Sequence, residues 1–296
     1  MPMRDWLPKR YEANFGARKE LSVNIYTLNV GQGQFVVVAG EKEAIVVDTF
    51  VPLNTTQETV FVKTALAKIL GGKNLVGVIF TGFDSDHFCD VGVQLVLNKY
   101  RPEWVMYPRY YKDTETATAC FKTIEELSKA KRDLRKISVD LADTKESRMF
   151  NDIASEFKLE VFSPHKEDMN SSNNGSIVCK ITERSTGATY LVTGDTETQR
   201  WKTIVQLFKG RLKADVLAAP HHGSRNGITE DVMKYVEPHT VIISAGVESK
   251  YGHPHIEAVK LFKAHAKNHY RTNMKEGQSI RTEADGKQVN SYKFSV

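Results

Sequence analysis

With 296 residues, 41% of them apolar, the chain has material for one large core, yet no stretch approaches the roughly eighteen consecutive apolar residues of a membrane-crossing helix. Lys plus Arg number 41 against 36 Asp plus Glu, a net charge of +5 spread along the chain, which permits an anionic partner without requiring one. Cys89, Cys120 and Cys179 are odd in number and form no CxxC pair, which argues against a disulfide framework or a zinc knuckle and fits a reducing cytoplasm.

Residues 1–20 are polar and basic, contain no apolar run of signal-peptide length, and are expected to form an arm ahead of the fold. Residues 22–30 alternate apolar and polar positions as a half-buried strand does, Gly31-Gln32-Gly33 turns the chain, and residues 35–39 and 43–48 follow as strands, the last closing on Asp48. Residues 59–70 have helical spacing and stop at Gly71-Gly72. The apolar strand 76–80 then delivers the loop TGFDSDH at 81–87. Beyond it come a helix over 91–100 with Asp90 as its N-cap, a strand over 104–108 and a long charged helix over 114–136. Cys89 is expected to pack in the core rather than to bind metal.

Strand patterns return from residue 159, with a polar loop at 170–175 and a hairpin of 176–183 against 188–193 whose second strand runs on to Asp195. Helix 201–208, strand 216–219, helix 230–236, strand 241–244 and helix 256–266 alternate as parallel strands with crossover helices do, and residues 278–296 suggest a hairpin around Asp285-Gly286. One layered α/β domain over residues 21–296, two mixed sheets covered by helices, is the architecture this order predicts.

The chemistry lies where apolar runs end. Asp84, Asp86 and His87 fall within one short loop, Asp195 closes a strand, and His221-His222 and His253 follow two further apolar runs. Strand ends of this kind can hold a divalent cation that activates its bound water for hydrolysis. The carboxylate-rich donor set favours manganese or magnesium over zinc, and an oxygen-rich site in basic surroundings suits phosphate esters.

The motifs and their order resemble the metallo-β-lactamase fold, in particular the branch represented by the soluble domain of the competence protein ComEC. LNVGQG at 28–33, Asp48, NNGS at 173–176, TGD at 193–195, PHHGS at 220–224 and YGHP at 251–254 carry the resemblance, which covers about residues 22–260. It implies a four-layer αββα sandwich and a metal-dependent phosphodiesterase, foremost a nuclease acting on DNA. Residue by residue, it implies that Asp86, His87, Asp195 and one of His221 and His222 hold one ion, while Asp84 contributes to a second together with Asp195. Spacing does not choose between the two histidines. Asp48 is implied to stand behind the ligands and orient them, Asn174, Ser176 and Ser224 to contact substrate, and Lys250 and His253 to meet charge developing on the phosphate. The implied catalytic set is therefore Asp86, His87, Asp195, Lys250 and His253.

The chain departs from the family pattern at Gly82, where a histidine is usual, and also at Cys89-Asp90 and Gln34. The expectation is one well-held ion, manganese before magnesium or zinc, and a second that is weak or absent. Two alternatives stand beside the nuclease: a hydrolase of a small phosphodiester or nucleotide, and a degenerate member that binds nucleic acid or a partner without turnover. The resemblance also admits a bacterial defence role with a regulatory partner protein. Without the membrane channel and oligonucleotide-binding module of full competence proteins, DNA uptake by the chain itself is not expected. Oligomeric state and strand preference stay open.

Overall fold

A computed structural model describes residues 22–52, 56–110, 112–130, 133–168, 171–274 and 276–296; the expected arm at 1–20 lies outside them. The first half of the chain contributes β1 (Val23–Thr27), β2 (Val36–Ala39), β3 (Glu43–Val47), α1 (Thr56–Ile69), β4 (Asn74–Ile79), α2 (Asp90–Tyr100), β5 (Trp104–Pro108), α3 (Glu115–Ala130) and β6 (Arg135–Val139). The second contributes β7 (Phe157–Ser163), β8 (Val178–Glu183), β9 (Thr189–Val192), α4 (Thr198–Phe208), β10 (Val216–Ala218), α5 (Glu230–Val236), β11 (Thr240–Ile243), α6 (Ile256–His265) and β12 (Asn268–Arg271). The chain then returns as β13 (Ser279–Ala284) and β14 (Val289–Phe294).

These strands form an eight-stranded sheet, ordered β14-β13-β1-β2-β3-β4-β5-β6, and a six-stranded sheet, ordered β12-β11-β10-β9-β8-β7. Both sheets are mixed, as expected: β1, β2 and β3 run antiparallel, whereas β3 through β6 and β9 through β12 run parallel. Between them lies one apolar layer that includes Ile25, Val47 and Ile79 from the first sheet and Leu159, Ile181 and Tyr190 from the second. On the outer face of the first sheet, Val62, Leu66, Val93 and Ile124 of the helices pack against Val46 and Val78. Trp201, Ile204, Val232 and Phe262 cover Leu191, Leu217 and Val241 on the second. Four layers, helix on sheet on sheet on helix, result because each strand of the interior buries both faces.

Strand register fixes where the site forms. Val47 pairs with Ile79 across the parallel β3–β4 ladder, so the two strands end level and Asp48 emerges beside Thr81. Asp48 N–H continues the ladder to Ile79 O at 2.8 Å. In the second sheet the ends of β9, β10 and β11 deliver Asp195, His221-His222 and Ser244 to the same region. Gly77 is one residue that makes the sheet close: a Cβ there would stand 2.1 Å from the ring of Trp104, whose side chain fills that space in the core.

Two expectations are corrected, and one strand was not expected. The helix expected over 114–136 does not reach 136: α3 is described over Glu115–Ala130, and residues 135–139 are β6, paired with β5 from Trp104–Arg135 to Pro108–Val139. Lysines and arginines at helical spacing hide the break in sequence, and the β-branched residues of Arg-Lys-Ile-Ser-Val favour an edge strand once β5 offers a ladder. Asp90 is the first helical residue of α2 rather than its N-cap, a position Cys89 holds; the Asp90 carboxylate instead accepts from Gln94 and Thr123. β12, in the polar stretch Asn-His-Tyr-Arg, has no apolar pattern to announce it and exists by pairing with β11. All three cysteines are free and buried. Among the described residues no helix is long and apolar enough to cross a membrane.

Candidate metal centre

Four side chains meet where the two sheets' parallel strands end. One ligand-type atom from each of Asp86, His87, Asp195 and His222 lies within 4.8 Å of all the others. His87 Nε2 stands 3.0 Å from Asp195 Oδ1, and His222 Nε2 stands 3.6 Å from the same oxygen and 3.5 Å from Asp86 Oδ2. His87 Nε2, His222 Nε2 and Asp195 Oδ1 are buried, and none has a hydrogen-bond partner. Orphaned buried donors and acceptors cost about 1–3 kcal/mol each, so three aimed at one point form a cradle that a divalent cation satisfies.

The far side of each imidazole sets its tautomer. His87 Nδ1 donates to Asp48 Oδ2 at 2.7 Å, and Asp48 is itself held by Thr81 N and Thr81 Oγ1, both at 2.7 Å. His222 Nδ1 donates to Ser244 O at 2.9 Å, while Ser244 Oγ donates to Gly33 O at 2.7 Å. With Nδ1 occupied in both rings, each Nε2 is left for the shared point. Asp48 takes φ 55°, and His221 and His222 take φ 49° and 54° in succession. Left-handed conformations cost non-glycine residues about 1–3 kcal/mol each and cluster at functional sites. Here they turn Asp48 and His222 inward at the ends of β3 and β10 and leave His221 partly exposed.

Electrostatics bind the group together. Burial works against charge on His87, yet the Asp195 and Asp48 carboxylates outweigh it and hold the imidazole well above its ordinary range. His222 is raised likewise, burial being overcome by Asp195 and Asp86. Asp195 and Asp86 move the opposite way: burial is outweighed by His87 and His222 around Asp195, and by His222 and His87 around Asp86. A cation that takes the histidine nitrogens as ligands must therefore displace their protons.

The sequence profile of the metallo-beta-lactamase superfamily matches residues 28–247, a span that contains all four of these residues. The chain belongs to the metallo-beta-lactamase superfamily. It is 26% identical over 270 residues to ComE operon protein 3 of Bacillus subtilis (strain 168), a match covering 86% of this chain and 32% of that protein. It is 31% identical over 108 residues to competence protein ComA of Neisseria gonorrhoeae, covering 36% of this chain and 16% of the relative. The chain thus spans less than a third of the length of either curated relative. Among solved structures it is similar to the metallo hydrolase Igni18 of Ignicoccus hospitalis KIN4/I, at 13% identity and a TM-score of 0.46 over 87% of this chain and 98% of that one.

Within this superfamily site, the remaining sequence candidates fall in distinct places. His221 stays outside the four-residue group, with Nε2 3.9 Å from Asp195 Oδ2 and Nδ1 3.5 Å from Glu197 Oε1. Asp84 is also outside it and forms an ion pair with Lys112. Ser176 and Asn174 hold the segment that carries Asp195: Ser176 Oγ accepts from Asp195 N at 3.2 Å, and Asn174 Oδ1 accepts from Glu197 N at 3.2 Å. Ser224 is buried and its hydroxyl accepts from Asn226 N at 3.3 Å. His253 is buried beside the group, its ring stacked on His222 at 6.3 Å, with Gln32 Nε2 facing Nδ1 at 3.4 Å. Burial, followed by His222, His221 and His255, pushes His253 down to about 4, so it is a neutral imidazole at neutral pH. Lys250 is exposed in the adjoining loop.

Sequence reasoning assigned no role to several residues that build the site. Gln32 and Ser244 orient His253 and His222, Thr81 clamps Asp48, and Glu197 faces His221. Lys112 and Tyr110 lie after β5, far along the chain from any motif. Tyr110 Oη accepts from Phe83 N at 3.1 Å and would stand 3.3 Å from a Cβ at Gly82. Gln32 and Thr81 did sit inside motif strings; Lys112, Tyr110 and Ser244 carried no local signal.

Proposed function

We propose that the protein is a metal-dependent phosphodiesterase that hydrolyses nucleic acid, foremost DNA, at a single well-held manganese ion. The observation that carries the reading is the convergence of the unpartnered His87 Nε2, His222 Nε2 and Asp195 Oδ1, with Asp86 beside them. Two nitrogens and two carboxylates suit a borderline or hard divalent ion, and the carboxylates tilt the choice towards manganese over zinc. When bound, such an ion supplies an acidified water and polarises a phosphoryl oxygen.

The chain's own residues supply the rest. Asp48 fixes the His87 ring and keeps its Nδ1 proton, and Ser244 O does the same for His222. Ser176 and Asn174 hold the Asp195 segment still, which keeps the carboxylate aimed while the ligands' charges change. With Gln32 Nε2 facing Nδ1, His253 carries its proton on Nε2, where the neutral ring can donate a hydrogen bond to a phosphoryl oxygen. Lys250, at the rim, supplies positive charge to the incoming phosphate. Asp84 is neutralised by Lys112 and Gly82 has no side chain, so a second ion finds few free ligands. The similarity to ComE operon protein 3 and competence protein ComA supports nucleic acid over small phosphodiesters as substrate.

End-labelled single- and double-stranded DNA, incubated with manganese, magnesium or zinc, tests this directly. Cleavage that vanishes with a chelator and in Asp86→Ala is the expected result. A protein that binds the ion and cuts neither strand form, yet hydrolyses a small phosphodiester, would overturn the nuclease reading.

A further inference from the structure

We propose that Tyr251 is a stacking platform for a nucleobase of single-stranded nucleic acid whose backbone passes the metal centre, with Lys250 meeting the strand's phosphate. The inference deepens the nuclease reading and rests on it.

Tyr251 is 54% exposed although it adjoins a buried site. It neighbours the rings beside the site in turn: buried His253 stacks on His222 at 6.3 Å with 21° between planes, and exposed Tyr251 lies 5.7 Å from His253 at 31°. Lys250 Nζ stands 4.7 Å from the Tyr251 ring centre, over its face. The outward position is built rather than incidental. Tyr251 N and His253 N both donate to Ser249 Oγ at 3.3 Å, and Gly252 N donates to Ser249 O at 2.9 Å. Gly252 takes φ 70°, a left-handed turn that glycine adopts without steric cost, and Asn273 Nδ2 braces the far end on His253 O at 3.3 Å. A ring on so braced a turn loses little freedom when a ligand covers it, which favours binding.

The chemistry of the patch selects the ligand. An exposed aromatic ring with an ammonium over one face, next to a phosphodiester centre, is the pairing by which proteins hold single strands: bases stack on rings while cations follow the backbone. A paired duplex hides base faces within its own stack, so the platform favours unpaired bases.

The test is equilibrium binding of a phosphorothioate single-stranded oligonucleotide, which resists cleavage, and of the same oligonucleotide made abasic, to manganese-loaded wild type, Tyr251→Ala and Tyr251→Phe. Base–aromatic stacking of about 1–3 kcal/mol predicts roughly tenfold weaker binding of the base-bearing strand to Tyr251→Ala. Tyr251→Phe should retain wild-type affinity, and the abasic strand should not distinguish the three proteins. Equal affinity of wild type and Tyr251→Ala for the base-bearing strand, or an equal loss on both strands, would overturn the inference. The two readings fail separately. A wild type that cuts DNA but shows no Tyr251 effect keeps the nuclease and loses the platform; one that shows the Tyr251 effect but cuts nothing keeps the platform and loses the nuclease. A wild type that binds neither strand overturns the platform.

Discussion

The two oxygens of Asp195 face different environments. Oδ1 looks into a buried group where His87 Nε2 and His222 Nε2 converge, each ring held from behind by a hydrogen bond. Oδ2 looks towards His221, which is partly exposed and shared with Glu197. The neighbouring Asp84 is occupied by Lys112, and Tyr110 closes the space beside Gly82. Ligand-type residues stand on both sides, and what separates them is whether each is free, buried and aimed. A site is made by the atoms behind the ligands as much as by the ligands.

Removing the carboxylate common to both sides should have the largest effect. Asp195→Ala is expected to lower manganese affinity by on the order of a hundredfold or more, beyond the range seen for residues behind a ligand. Isothermal titration reads the loss and circular dichroism checks the fold; wild-type affinity in a folded variant would break the distinction between the sides. Asp48→Asn keeps a residue type that tolerates φ 55° but replaces the carboxylate behind His87. A roughly 10–100-fold loss of ion affinity is expected there, and no loss would mean that the hydrogen bond behind His87 does not matter.

The quieter side can be rebuilt. Gly82→His combined with Lys112→Met returns a ligand and frees Asp84, and elemental analysis should then find two ions per chain instead of one. Gly82→His alone is expected to stay at one, because its side chain must first displace Tyr110 and Asp84 remains paired. Two ions in the unmodified protein would erase the contrast.

The smallest effect is on stability against pH. The folded-state pKa of His87 is raised above its ordinary 6.5, so in ion-free protein its charged contacts contribute fully below that value and are lost as pH rises through the raised one. His222 is raised as well and has the same sign. Ion binding needs both Nε2 atoms deprotonated and runs the other way. The gap in melting temperature between manganese-loaded and chelator-treated protein should therefore widen by a few degrees from about pH 6 to about pH 9. A gap that narrows over that interval would place the protons elsewhere.

Much of the scaffold was legible because strands buried on both faces are continuous apolar runs, and because glycine and aspartate punctuate their ends. The run before Thr81 and the run before Asp195 each pointed to a strand end, and both strands are present as β4 and β9. β6 and β12 escaped because edge strands need little apolar character once a neighbour supplies the ladder. The choice between His221 and His222 escaped for a related reason. Adjacent identical residues differ only in direction, and their successive left-handed φ values turn one inward and leave the other at the rim.

What the sequence determined by itself was the inventory and its order: which apolar runs become strands, which end in carboxylate or imidazole, and that the loop at 81–87 lacks a side chain at Gly82. Local pattern is enough for that, since period, turn residues and strand ends act over a few positions. The tertiary structure alone decided which of those groups are free. Lys112 reaches Asp84, Gln32 reaches His253 and Ser244 reaches His222 across separations of 28, 221 and 22 residues. Such pairings form only when parallel strands of two sheets end at the same place, and a buried group's charge and orientation depend on partners that chain position does not reveal.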